Sequence, residues 1–178
     1  CSQQGIISGY ADGTFRPTGT LSGNAFMKML LGALGYDSSI EGYTGANWQV
    51  SVIKQASGIG LDDGNDEFVG SKAVTREEAA LYAFNTLQAT MVDYDQKITT
   101  NVNGVDVTIS QGSSKPVTWS EGINEDGNIK NDGFVQFAEE FFPKLVRKDD
   151  NDKFMAPANT WVYDKSEIGT YERTDLIV

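Results

Sequence analysis

The 178-residue chain contains no histidine and a single cysteine, Cys1. These absences exclude imidazole base catalysis, Ser-His-Asp and Cys-His catalytic groups, an intrachain disulfide and almost every transition-metal site. Carboxylates, lysine, tyrosine, serine and threonine remain, so we expect a binding protein that is not an enzyme and that carries no cofactor or metal. Cys1 is either the lipid-carrying first residue of a processed lipoprotein or a residue at which a longer chain was cut, and a start inside a repeat favours the cut.

Basic residues and long apolar runs are also scarce. The chain has 14 Lys and Arg against 25 Asp and Glu, a formal net charge of −11. This balance repels nucleic-acid phosphates and anionic lipid head groups, so neither is an expected partner. The most apolar stretch, 25–34, is interrupted by Lys28 and Gly32 and is shorter than the roughly 18 residues of a membrane span. With 39% apolar residues, the chain can bury one sizeable core or two small ones.

The first half of the chain contains an internal repeat. A shift of 53 positions superimposes like residues: Phe15 on Phe68, Leu21 on Val74, Ser22 on Thr75, and Leu34 on Leu87. Each copy has a Gly-rich acidic loop, a hydroxyl residue suited to cap a helix, and an amphipathic run. A further helix is predicted between the copies, over 48–56. The second copy therefore reads helix, loop, helix, whereas the first lacks a leading helix, and we expect more sequence upstream.

The spacing of apolar residues predicts which face of each helix is buried. In the first helix the predicted core residues are Phe26, Met29, Leu30, Ala33 and Leu34. In the middle helix they are Trp48, Val52, Ile53 and Ala56. In the last helix they are Ala79, Tyr82, Ala83 and Leu87.

These motifs resemble the S-layer homology domain of Gram-positive bacteria. Residues 9–17 fit the loop G-Y-x-D-G-T-F-x-P position by position, residues 75–78 fit the helix opening T-R-A-E with Glu77 in place of Ala, and residues 34–36 fit the helix end. The resemblance covers about residues 5 to 88. It implies a three-lobed helical prism of three repeats, which holds exported proteins noncovalently on secondary cell-wall polysaccharide, often through a pyruvylated sugar. The implied location is extracellular, at the cell surface or in an S-layer.

Arg76 is the leading candidate for gripping such a sugar. A pyruvyl ketal presents a carboxylate, and a guanidinium can donate two parallel hydrogen bonds to it. Arg76 follows the predicted N-cap Thr75, in a first helical turn where free N–H groups and the helix dipole also favour an anion. An ion pair with a neighbouring glutamate is the rival interpretation of Arg76. A capping box explains Thr75 and Glu78 without any ligand.

The first loop and two aromatic residues complete the predicted ligand set. Gly13 lets the backbone approach a sugar, Thr14 offers a hydroxyl, and Asp12 belongs to the same turn. Tyr10 or Trp48 could stack on a pyranose. An ordinary turn explains the loop equally well, and a core position is the favoured alternative for Trp48.

Two departures from the family pattern limit the number of sites. The first helix opens with Ser-Gly-Asn-Ala at 22–25, which keeps the cap but loses the arginine and the glutamate. The second loop, 62–68, lacks G-Y-x-D-G-T and the proline. We therefore expect one composite site. In the family that the chain resembles, grooves lie between repeats, and this resemblance implies that the first loop faces the second helix opening.

From residue 92 onward the hydrophobic period changes from 3.6 to 2, which predicts a separate α+β module. Alternation over 98–109 around Asn103-Gly104 predicts a β-hairpin with a two-residue turn. A helix is predicted with the stripe Phe134, Phe137, Ala138 and Phe141, capped by Asp132 and ended by Pro143. An acidic turn at 149–152 and short strands at 161–163 and 167–171 follow. The acidic clusters lack EF-hand order, so solvated turns are favoured over calcium sites.

The predicted fold is α+β, with helical S-layer homology repeats over 1–90 and a small α+β module over 91–178. The leading functional hypothesis is noncovalent anchoring of a surface protein to cell-wall polysaccharide. The alternative is a self-assembling surface-layer or filament subunit, a homo-oligomer whose incomplete repeat is completed by a neighbouring chain. An accessory piece of a larger wall-degrading enzyme is the third hypothesis.

Overall fold

The structure, a computed structural model, describes residues 6–7, 9, 12–14, 16–94, 99–102, 105–108, 112–120 and 126–173. In these ranges the elements are α1 (Gly23–Ala33), α2 (Trp48–Gly58), α3 (Arg76–Gln88), β1 (Val92–Tyr94), β2 (Thr99–Val102), β3 (Val105–Thr108), β4 (Ser114–Pro116), α4 (Phe137–Phe141), β5 (Leu145–Asn151), β6 (Pro157–Tyr163) and β7 (Ser166–Glu172). Helices and antiparallel sheets together confirm the α+β prediction. Among the helices of the described ranges, none has both the length and the apolar composition that crossing a membrane requires.

Helix α1 begins as predicted but buries a different face. Ser22 is the N-cap, and its Oγ accepts a hydrogen bond from Ala25 N at 3.3 Å. The predicted stripe is wrong for all but Leu34, because the buried helix residues are Gly23, Asn24, Met27 and Leu31, while Phe26, Met29, Leu30 and Ala33 are only half-buried. The physical reason lies at the start of the helix, where Asn24 N donates to Gly70 O at 2.7 Å. This backbone contact turns the side that carries Gly23 toward the protein.

Helix α2 is two residues longer than predicted and buries Val52 and Ala56, whereas Trp48 and Ile53 are half-buried. Helix α3 begins with the predicted capping box. Its buried residues are Tyr82 and Thr86. Burial of Ala79, Ala83 and Leu87 was predicted wrongly, since Ala83 is exposed and the other two are half-buried.

The Tyr82 side chain explains the buried face of α3. Its ring packs edge-to-face on Phe68, with centroids 5.6 Å apart, and its hydroxyl accepts a hydrogen bond from Asn65 Nδ2 at 2.6 Å. Thr86 Oγ1 donates to Tyr82 O at 2.7 Å. The second loop therefore packs on α3 through Tyr82, and the helix face that meets this loop is the buried one.

Strands β2 and β3 form the predicted hairpin. They pair antiparallel with Val102 opposite Val105, which leaves two residues for the connection. The turn residues Asn103 and Gly104, and the flanking Ile98 and Ile109, lie outside the described residues.

Strands β1 and β4 form a second two-stranded sheet. Val92 N of β1 donates to Leu34 O at 2.9 Å, at the end of α1. Gly35 follows with a φ of +103°, and a Cβ at this position would collide with Val92 O. The glycine is therefore required for α1 to end against β1.

The contacts within the chain define two compact units, Cys1–Lys115 and Pro116–Val178. The change in hydrophobic period comes earlier, near residue 90. The division at residue 90 stays a prediction, as does the presence of S-layer homology repeats, the first truncated and the second near-complete.

In the second unit, α4 is shorter than predicted and buries its polar side. The helix spans five residues and Gln136 is its N-cap. Ala138 of the predicted stripe is buried and Phe137 is half-buried, whereas Phe134 and Phe141 are 36% and 53% exposed, so the stripe is wrong at these two positions. Asp132 accepts hydrogen bonds from Phe134 N and Gln136 Nε2, so it orders the turn before the helix. Glu139, which the sequence did not predict as buried, is buried beside Ala138. Its carboxylate accepts backbone hydrogen bonds from Ile129, Lys130 and Gln136 at 2.8–3.1 Å.

Strands β5, β6 and β7 form an antiparallel sheet in chain order. The two predicted strands, 161–163 and 167–171, are confirmed within β6 and β7. The predicted acidic turn at 149–152 is wrong for its first three residues, which belong to β5 and pair with 157–159. The turn comes instead at 152–156. Continued cross-strand pairing with 157–160 of β6 overrides the low β-propensity of the Lys-Asp-Asp-Asn segment.

Candidate functional site

The first loop is held together by its own side chains. Asp12 Oδ1 accepts hydrogen bonds from Thr14 N at 3.0 Å and Thr14 Oγ1 at 2.6 Å. Arg16 Nη2 lies 2.7 Å from Asp12 Oδ2, and Arg16 Nε donates to Thr14 Oγ1. The Thr14 hydrogen bonds, followed by the one from Arg16, lower the pKa of Asp12 below its ordinary value of 3.8. Two of the residues predicted to contact the sugar, Asp12 and Thr14, are therefore hydrogen-bonded to each other.

Gly13 lies at the outer side of this loop. Its φ is +76°, a left-handed conformation that favours glycine, and a Cβ built there meets no atom of the described residues within 4 Å. The backbone at Gly13 is thus open to an approaching molecule. The predicted stacking residue Tyr10 lies outside the described residues.

The openings of α1 and α3, that is, their N-cap residues and first turns, lie side by side. Ser22 and Ala73 form an antiparallel bridge. On either side of it, Val74 N donates to Leu21 O and Gly23 N donates to Lys72 O, both at 2.9 Å. The chain that leaves the first loop therefore runs directly beside the chain that enters α3, although 53 residues separate the two caps.

The two helix openings differ in the N–H groups that remain available. In α1, the first three N–H groups are bonded to Lys72 O, Gly70 O and Ser22 Oγ. In α3, Glu78 N is bonded to Thr75 Oγ1 at 3.2 Å, and Glu78 Oε2 accepts from Thr75 N at 2.7 Å. Within the described ranges, neither Arg76 N nor Glu77 N has an acceptor. The opening of α3 can therefore donate to an anion, and that of α1 cannot.

Arg76 is the first residue of α3 and is exposed. The rival interpretation, an ion pair with a neighbouring glutamate, is not seen, because no salt bridge or hydrogen bond engages its guanidinium in the part of the chain that the structure describes. The neighbouring Glu78 carboxylate is occupied by the capping box, whose hydrogen bonds with Thr75 lower its pKa. Glu77 and Glu78 add negative charge to the first turn and partly offset the helix dipole.

Trp48 is the first residue of α2 and is only half-buried. The ammonium of Lys28 lies 5.4 Å from its ring centroid and donates a hydrogen bond to Tyr43 O at 2.7 Å. Burial lowers the pKa of Lys28. One face of the indole is thus covered by a cation of α1, an arrangement that stabilises the ring in place. Neither Trp48 nor Arg76 has a hydrogen bond or ring contact with the described residues of the first loop.

A second concave surface lies beside the other Gly-rich loop. It is an open cavity of about 350 Å³ lined by Ile53, Ser57, Asp62, Asp63, Gly64, Asn65, Asp66 and Phe68. Ser57 Oγ donates to Asp62 Oδ2 at 2.6 Å. Over the described residues, no group of three or more acidic, His or Cys side chains is arranged to hold a metal ion. Three aspartates on the cavity wall make it repulsive to an acidic sugar.

The sequence of the first loop and of the α1 opening matches a known protein family. Residues 1–24 match the S-layer homology domain. The match supports an S-layer homology protein and covers the loop, the Asp12–Thr14–Arg16 cluster and the cap of α1. It ends at Asn24, before the second copy and Arg76. No curated protein and no solved structure matches the chain.

The sequence analysis did not identify three residues that shape this part of the protein. Arg16, at a variable position of the loop motif, ties down Asp12, and its spacing of four residues was the available signal. Lys28 interrupts an apolar run, yet nothing local shows that it reaches Trp48. Asn24 is a buried polar residue, 4% exposed, and only the contact with Gly70 reveals why.

Proposed function

We propose that this protein anchors itself noncovalently to an acidic secondary cell-wall polysaccharide at the surface of the cell, without a catalytic step. The observation that carries the proposal is the S-layer homology match over residues 1–24, because this domain generally mediates cell-wall anchoring. The opening of α3 supports it, since Arg76 and two backbone N–H groups there have no partner among the described residues.

The proposed ligand group is a sugar carboxylate, such as that of a pyruvyl ketal. Arg76 would donate two parallel hydrogen bonds to it, and Arg76 N and Glu77 N would face the same charge. The exposed backbone at Gly13, with Thr14 and Asp12 beside it, would contact the sugar ring. Trp48, whose indole is already covered on one side by Lys28, would add an aromatic surface, as would Tyr10.

Binding to purified cell walls tests this role of Arg76. Walls with pyruvylated polysaccharide and the same walls after acid removal of pyruvyl groups are incubated with wild-type protein, Arg76→Gln and Arg76→Lys. We expect Arg76→Gln to weaken binding to intact walls by about tenfold or more, as for the loss of a charge-assisted hydrogen bond of roughly 1.5–3 kcal/mol, and Arg76→Lys to recover only part of it.

Lys54→Gln is the matched control, because Lys54 is an exposed cation on another helix and its loss changes the net charge equally. It should bind like the wild type. Equal binding of wild-type protein to intact and depyruvylated walls would reject the carboxylate as the recognised group, and undiminished binding of Arg76→Gln would reject Arg76.

Assembly of copies through completion of the first repeat stays the alternative prediction. The bridge between Ser22 and Ala73 engages the opening of α1 within one chain. A helix from a neighbouring chain would therefore have to pack elsewhere on α1.

A further inference from the structure

The turn between β5 and β6 presents two apolar side chains to solvent. Phe154 is 90% exposed and Met155 is 77% exposed. The turn is well ordered by hydrogen bonds, since Asp152 Oδ1 accepts from Phe154 N and Ala156 N, both at 2.8 Å. Met155 has a φ of +66°, a left-handed conformation that strains a residue with a side chain. The fold therefore holds an apolar pair outward at some cost in stability.

The opposite end of the same hairpin contains a groove with an apolar floor. It is an open cavity of about 540 Å³ lined by Lys144, Val146, Lys148, Val162, Asp164, Lys165 and Glu167. Val146 and Val162 are direct cross-strand partners and form its half-buried apolar floor. Lysine side chains surround this floor.

The charges of the two ends are complementary. The groove has three lysines against two carboxylates. Lys144 is paired with Asp164 at 3.2 Å, whereas neither Lys148 nor Lys165 meets a carboxylate in the described ranges. The end of the hairpin that bears the turn carries three aspartates, at 149 and 150 on β5 and at 152 in the turn, against Lys153 and Arg173, which lies 3.6 Å from Asp149. In a chain of net charge −11, this groove is a local excess of positive charge beside an apolar floor.

One molecule cannot fill its own groove with its own turn. Asp152 follows Val146 by six positions along the chain, and at 3.3–3.4 Å per residue the two ends lie about 20 Å apart along a paired hairpin. We propose that the 152–156 turn of one copy inserts Phe154 and Met155 between Val146, Val162 and the lysines of a second copy. The two surfaces differ, so the contact is heterologous and extends head to tail into an open string.

Sedimentation velocity of the full chain over a range of protein concentrations tests the proposal. A turn variant, Phe154→Ser, and a groove variant, Lys148→Glu with Lys165→Glu, each remove one partner surface. We expect the wild type to show mass increasing with concentration, and each variant to raise the dissociation constant by about tenfold or more, as for an anchor residue of an interface. Val50→Ser is the control, because Val50 is 68% exposed on α2 and should change nothing.

Mixing the two variants gives the sharpest readout. The turn variant keeps an intact groove and the groove variant keeps an intact turn, so an equimolar mixture should form dimers and stop there. A wild type that stays monomeric, association that survives either variant, or a mixture that stays monomeric would each overturn the proposal. Arg76→Gln should associate like the wild type, so a failure of wall binding and a failure of this contact are distinguishable. Loss of wall binding in the groove variant, with the wild type monomeric, would assign the groove to the glycan instead.

Discussion

Replacing Glu139 should unfold the second unit far more readily than replacing its neighbour Glu140. The Glu139 side chain is 1% exposed, and its two oxygens accept hydrogen bonds from the backbone N–H groups of Ile129, Lys130 and Gln136. Ile129 and Gln136 are buried, so Glu139→Ala leaves at least two buried donors without acceptors, each costing about 1–3 kcal/mol. The expected loss is roughly 2–6 kcal/mol, comparable to the whole stability of a unit of this size at about 0.05–0.15 kcal/mol per residue.

Glu139→Gln gives a graded test of the same reasoning. The amide keeps one oxygen for Ile129 and Lys130 but turns an NH2 group toward Gln136 N, so we expect a loss of about 1–3 kcal/mol. Urea unfolding followed by tryptophan fluorescence measures both variants, because Trp119 and Trp161 lie in this unit. Glu140 is exposed, and Glu140→Ala should stay within about 0.5 kcal/mol of the wild type. If Glu139→Ala and Glu140→Ala unfold at the same urea concentration, the buried carboxylate does not hold the loop to α4.

Two further outcomes are expected in the first unit. The folded-state pKa of Asp12 is depressed, so the stabilisation from its hydrogen bonds to Thr14 is fully present above the ordinary pKa of 3.8 and is lost as pH falls through the folded-state pKa. In an NMR titration, the protection of the Thr14 N–H group should therefore fall in that pH range. An unchanged Thr14 signal in acid would contradict this expectation. Gly35→Ala should lower the midpoint of thermal unfolding more than Gly13→Ala. Both positions have a positive φ, but only at Gly35, with φ +103°, would the added Cβ also collide with Val92 O. Equal midpoints for the two variants would refute the collision.

Local signals in the sequence predicted the parts of the fold that depend on neighbours along the chain. Ser22 and Thr75 cap their helices as predicted, and the reciprocal glutamate Glu78 completes the box, because all these contacts span three residues. The hairpin over 99–108 follows from alternation around a two-residue turn in the same way. Where an element begins is mostly a short-range question.

The buried faces depend on contacts that no short window contains. In α1, the pattern favoured Met29 and Leu30, but the backbone bond to Gly70 turns Met27 and Leu31 inward. In α4, aromatic residues suggested the core side, yet Glu139 is buried because three N–H groups need its carboxylate. For the same reason the availability of Arg76 was open from the sequence. It depends on which carboxylates the fold brings near the guanidinium.

The contrast between the two helix openings explains why the sequence departs from the family motif in the first copy. The shift of 53 places Gly23 opposite Arg76. A Cβ at Gly23 would approach the Phe68 ring to 2.9 Å and Gly70 Cα to 3.2 Å, so no arginine fits there while α1 packs on the second loop. In the same contact, the N–H groups of the first two residues of α1 donate hydrogen bonds to Lys72 O and Gly70 O. The first opening thus serves as a packing contact. In the described part of the chain, α3 is the helix whose first turn combines an arginine with N–H groups that have no acceptor.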